Sequence, residues 1–293
     1  MVKKVISESE LEKLNEEFCK EEIEPRVRPM EAFKRIYQRT KRSIIIPSGE
    51  AEFIFKWFES NTKAGSQMIG HLHRGVYYYD STFWGINIPI VFGAVSINAI
   101  DALYDMPEKI KNSLANDKKA LRNYVIFWVD CNDFGCAYNK LCKDKNLDAF
   151  GRDLLNAGYE ELSSATTLLL ENCPNKRAIL NCRMATEMLF KCFVVFKTRM
   201  SEKQVKKIGH DLEKWFDKFL NVSRCQSFLK KKNILQVFPD YHKRYQSQNA
   251  NNSSLFKGYH FAQSIGALIG RKFTPINTLQ QIMPYNSSIM SNK

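Results

Sequence analysis

The sequence predicts an α+β fold in which a small mixed α+β N-terminal domain precedes an antiparallel helical bundle. Before residue 145, short β-branched and aromatic runs bounded by Gly, Asp and Asn alternate with helical patterns, whereas from Leu147 onward the strand signals vanish and apolar residues recur with helical period. The composition, 44% hydrophobic, 12% aromatic and 26% charged over 293 residues, belongs to a globular chain long enough for two domains.

Each element follows in order. Over residues 7–24, Leu11, Leu14, Phe18 and Ile23 fall near helical spacing with Glu between them, and Pro25 and Pro29 close an N-terminal helix and linker spanning 1–29. The basic stretch 26–42 carries Phe33, Ile36 and Tyr37 as a stripe flanked by Lys34, Arg35, Arg39, Lys41 and Arg42. Its polar face reads as solvated or, more sharply, as phosphate-contacting. A β-branched run at 44–46 ends at Pro47, and Phe53, Ile54, Trp57 and Phe58 suggest a helix. Runs at 76–79, 86–95 and 124–129 read as strands, and a basic helix over 107–114 starts with Pro107 in its first turn. Together these make a small α+β domain of unknown type over 30–145.

The bundle is expected over 147–273. A helix at 147–171 is ended by Pro174, and a second follows at 177–199. Asp211 opens a third with Leu212, Trp215, Phe216, Phe219 and Leu220, and Ser253 caps a last one carrying Phe256, Tyr259, Phe261, Ile265, Leu268 and Ile269. Short connections between long helices imply antiparallel neighbours in an up-and-down arrangement. Residues 274–293 form a polar tail.

The net charge of +13 implies attraction to phosphate-rich partners, nucleic acid first among them, although the excess is scattered and many basic proteins have no such partner. Residues 1–10 lack the apolar core of a secretory signal, and the longest apolar run, 86–100, is broken by Asn87, Pro89, Gly93, Ser96 and Asn98. A soluble, cytoplasmic protein with no membrane partner is expected. The eight cysteines are then free thiols by default. Cys131, Cys136 and Cys142 invite a zinc reading, but zinc favours closer pairs and a fourth ligand, so neither metal nor cofactor is expected.

Several short motifs occur in a telling order. Arg183-Met-Ala185-Thr-Glu187-Met-Leu189-Phe-Lys191 puts Arg, Glu and Lys one turn apart on a single helix, Gly209-His210-Asp211-Leu212 opens the next, and Lys243-Arg244-Tyr245 precedes the last. In this order they resemble a HEPN domain, over about 125 residues. The resemblance implies a HEPN-like bundle that binds nucleotide or RNA, plausibly in prokaryotic defence or a toxin–antitoxin pair, with Arg183, Glu187, Lys191, His210 and Arg244 lining or supporting the groove. Nuclease members also carry an Arg followed four to six residues later by His at the start of the last helix. No arginine precedes any of the five histidines at that spacing, so the usual HEPN ribonuclease activity is not expected. Whether the chain is an enzyme stays open.

Two other readings stand beside this one. The chain could be an interaction module that forms a homodimer through the bundle. It could also be a degenerate or remodelled nucleotidyltransferase fused to helices, in which Gly65-Ser66 opens a phosphate-type turn and Asp80 and Asp130 are metal-binding carboxylates. That enzyme needs Asp-x-Asp, and here the sequence is Asp80-Ser81-Thr82. Tyr77, Tyr78, Tyr79, Phe83 and Trp84 beside His71, His73 and Arg74 could stack bases or fill a core. P-loop, dinucleotide-fold, zinc-protease and serine-hydrolase signatures are missing.

Overall fold

The computed structural model describes residues 6–25, 27–40, 49–62, 71–90 and 97–282. The expected 44–46 run, Arg26, Lys41, Arg42, Gly65-Ser66 and most of the tail lie outside the described residues, as does part of the expected 86–95 strand. Contacts divide the chain into two units. One holds the residues up to His71 with Pro89 and Ile90, the other Leu72–Ile88 and the residues from Ile97 onward. The sequence reading drew this boundary near 145.

The first unit contains helices α1 (Glu8–Lys20), α2 (Arg28–Thr40) and α3 (Gly49–Asn61). Their apolar stripes converge as the spacing predicts, with Leu11, Leu14, Phe18, Phe33, Ile36, Ile54 and Phe58 buried in one small core. The basic face of α2 is spent within the unit. Arg35 lies 2.5 Å from Glu21 and 3.2 Å from Glu31, and Arg39 lies 3.3 Å from Glu17. Glu17 and Glu21 from the α1 segment and Glu31 of α2 itself thus pair with Lys34, Arg35 and Arg39, three of the cations that the sequence offered to phosphate.

The second unit is mostly helical, with one two-stranded antiparallel sheet, β1 (His73–Tyr79) and β2 (Thr82–Ile88). Asp80 and Ser81 turn the hairpin at φ 50° and 61°, the left-handed pair that a tight two-residue turn demands. Tyr77 packs its ring 5.0 Å from Tyr124 and 5.3 Å from Phe256, so Tyr77 and Phe83 lie in the core while Tyr78, Tyr79 and Trp84 pack half-buried against it.

Residues 124–129, expected as a strand, lie within a 26-residue helix. After α4 (Glu108–Asn116), Asp117 accepts the Lys119 and Ala120 N–H groups and starts α5 (Lys118–Lys143). The six residues are aromatic and β-branched, but over a longer window Tyr124, Phe127, Trp128, Cys131 and Phe134 repeat every three or four residues and are all buried. Burial along that stripe outweighs local strand preference.

The helices α6 (Ala149–Leu169), α7 (Ala178–Thr198), α8 (Glu202–Ile208), α9 (Leu212–Ser223), α10 (Gln226–Leu229), α11 (Asn252–Phe273) and α12 (Thr278–Ile282) complete the unit. Asn251 caps α11, accepting the Ser254 N–H at 2.8 Å, two residues before the expected Ser253 cap. Helices α6 and α7 are antiparallel, since Gly151 meets Phe196 and Gly158 meets Leu189.

The up-and-down expectation fails beyond that pair. His210 meets Glu187, Phe216 meets Phe190 and Phe219 meets Phe193, so α9 runs parallel to α7. Gly258 meets Ile179 and Phe273 meets Phe193, so α11 does too. The cause is the connections. Helix α8 carries the chain back before α9 begins, and 3-10 turns at Lys232–Val237 and Tyr241–Tyr245 do so before α11. Among the described residues, no helix is long and apolar enough to cross a membrane.

Candidate functional site

Helix α7 presents Arg183, Glu187 and Lys191 one turn apart, and in the structure they are buried together. Glu187 is fully buried and accepts from Arg183 Nη1 at 3.1 Å, Lys191 Nζ at 2.6 Å and His210 Nδ1 at 2.8 Å. A carboxylate only accepts, so the Nδ1 of His210 is the donor in this contact.

The corner that delivers His210 is built for the purpose. Gly209 ends α8 at φ 70°, a conformation strained for any residue with a Cβ, and Asp211 caps α9 by accepting the Lys214 N–H at 3.0 Å. That N–H and the Lys214 ammonium hold the Asp211 carboxyl below its ordinary range. Trp215 Nε1 donates to the Gly209 carbonyl at 3.0 Å, and Arg183 Nη2 donates to the His210 carbonyl at 2.9 Å. Lys191 sits over the Trp215 ring at 5.5 Å, beneath the corner and away from both clefts described next. Neither Glu187 nor Lys191 lines either cleft; both sit behind the residues that do.

The segment before α11 supplies the other wall. Asp240 accepts the His242 N–H at 2.9 Å and starts the Tyr241–Tyr245 turn. Tyr241 stacks on His210 with centroids 4.1 Å apart, while the Arg244 guanidinium lies 4.1 Å and that of Arg183 5.4 Å from the Tyr241 ring centre. The structure thus brings Arg183, Glu187, Lys191, His210 and Arg244 to one place. Sequence reasoning missed Tyr241, which joins them, although the alternating aromatic and basic residues of Tyr241-His242-Lys243-Arg244-Tyr245 were a usable signal.

Tyr241 separates two clefts of opposite character. The first, about 720 Å³, is lined by His210, Asp211, Glu213, Asp240 and Arg183 among others, so carboxylates outnumber the cation. The second, about 320 Å³, is lined by Arg177, Arg183, Arg244, Tyr241 and Tyr245 against a single carboxylate, Glu161, which Asn181 engages at 2.7 Å. Arg177, at the start of α7, was likewise not singled out from the sequence. Tyr245 is 82% exposed beside this basic cleft.

Asp80 and Asp130 do not meet. Asp130 is buried and paired with Arg271 at 2.7 Å; burial pushes its carboxyl up to about 6, with Arg271 opposing. It adjoins Cys131, which packs against Gly75, and Asp80 stands five residues further along the hairpin, about 16 Å away at strand rise. One ion cannot bridge them. Nor do the three cysteines converge, because all lie on α5, where Cys131 and Cys142 are about 16 Å apart along the axis and Cys136 points elsewhere.

No protein-family model, no curated protein and no solved structure matches the chain.

Proposed function

We propose that this protein binds a phosphate-bearing nucleotide, free or within RNA, in the cleft between Arg177, Arg183 and Arg244, without the cleavage chemistry usual for HEPN proteins. The observation that carries this reading is the concentration of three arginines around one small cleft with a single opposing carboxylate. Guanidinium groups pair with phosphate oxygens two at a time, and a buried positive charge behind them strengthens the field at the cleft mouth. Arg183 is that backing charge, committed to Glu187 and the His210 carbonyl; Arg177 and Arg244 are the contacting groups. The exposed Tyr245 ring offers a surface on which a neighbouring base of an RNA strand can stack.

The absence of a cleavage centre is supported by the separation of the two residues nearest the nuclease pattern. Arg244 lines the basic cleft, whereas His260 packs its ring against Phe127 and Phe256 at 5.0 and 5.7 Å. Calorimetric titration of ATP and of a short single-stranded RNA at low salt tests the proposal. Binding to the wild type that falls about tenfold or more in Arg177→Ala and in Arg244→Ala is expected from losing a charged hydrogen bond. Equal affinity in all three proteins contradicts it.

A further inference from the structure

The basic cleft accounts for one side of Tyr241; the larger cleft on the other side carries the opposite chemistry. Three carboxylates, Asp211, Glu213 and Asp240, line it against the one guanidinium of Arg183, with Gln236, Tyr241 and His242 also on its wall. Glu213 extends from the first turn of α9 and is exposed, and Asp240 uses one oxygen for its turn. His210, whose Nδ1 donates to Glu187, lines the cleft with a side chain that is 45% exposed. Leu235 and Phe238 provide apolar wall between these groups. The excess of carboxylates over the guanidinium favours a flat, donor-bearing group over a further anion.

We propose that this cleft reads the nucleobase of the bound ligand by its amino group, favouring guanine, cytosine or adenine over uracil. The inference rests on the phosphate reading above, since a nucleotide whose phosphate meets Arg177 and Arg244 needs only to pass the edge of one ring, Tyr241, to place its base among the acceptors. A carboxylate takes the adjacent N–H and amino groups of guanine together, or the cytosine amine alone, and faces a carbonyl oxygen in uracil. A site whose acceptors are left unpaired rejects the analogue that lacks the donor.

The test is calorimetric titration at pH 8 with CTP against UTP, GTP against inosine triphosphate, and inorganic triphosphate. CTP and GTP are expected to bind at least fivefold more tightly than their amine-free counterparts, with the preference shrinking below twofold in Glu213→Ala. Asp240→Ser, which keeps an oxygen for the turn, is expected to weaken it as well. Equal affinities for the paired nucleotides, or inorganic triphosphate binding as tightly as all of them, overturn the inference and leave the phosphate site standing. If none of the five ligands binds, the phosphate reading fails and this inference with it.

Discussion

His210 lies flat on Tyr241, their ring planes 5° from parallel. The contact joins two segments far apart in sequence, the α8–α9 corner and the 3-10 turn before α11, and it is braced from below by Glu187. A side chain held by a buried hydrogen bond on one edge and an aromatic face on the other loses little further freedom when a ligand arrives, which is what preorganisation requires.

The brace itself can be weighed. Glu187→Gln leaves Arg183 and Lys191 buried without a counter-charge and is expected to destabilise the protein by about 3–5 kcal/mol. Replacing Arg183, Glu187 and Lys191 together by Met, Leu and Met removes all three buried charges and leaves none of them unpaired, so its cost is expected to be smaller than that of the single change. Urea unfolding of both variants checks this. A triple variant less stable than Glu187→Gln contradicts it.

Helix α11 approaches α5 through glycines. A Cβ on Gly270 would stand 2.7 Å from the Ala137 Cβ and 3.1 Å from the Asp133 carbonyl, neither of which can swing aside. Gly270→Ala should therefore lose about 1–3 kcal/mol to overpacking. That outweighs the gain of about 1 kcal/mol in helix propensity. A raised melting temperature in this variant is the opposite result.

Burial, with Lys231 nearby, pushes the His260 imidazole down to about 4 from an ordinary 6.5. As pH falls through that interval the unfolded chain takes up a proton that the folded chain refuses, so this group withdraws stability on acidification and restores it above 6.5. Asp130, raised to about 6, acts in the opposite sense, because its folded carboxyl holds a proton that the unfolded one releases. Comparing wild type with His260→Phe isolates the histidine. The stability of the variant relative to wild type should rise as pH falls from 6.5 to 4, and parallel pH profiles would remove His260 from the account.

Much of the bundle was legible because its signals are local. The stripes of α6, α7 and α9 and the Asp211 cap need only a few residues to declare themselves, and the one-turn spacing of Arg183, Glu187 and Lys191 already placed them together. The course of the chain was not legible. The parallel run of α9 beside α7 depends on the seven-residue α8 turning the chain back, and nothing in its polar sequence states a direction. Residues 124–129 misled because six residues span less than two turns of the 26-residue helix α5, too few to show its repeat. Tyr241 was missed because its neighbours form irregular 3-10 turns, where position in space follows from tertiary packing of Phe238 rather than from any repeat.

The central claim, that Arg177 and Arg244 hold phosphate, is tested most directly by the salt dependence of binding to single-stranded RNA. Two phosphate contacts predict that log K falls against log salt with a slope of about −1.4, reduced by about half in Arg177→Ala and in Arg244→Ala. A slope near zero in the wild type, or the same slope in all three proteins, would contradict the account.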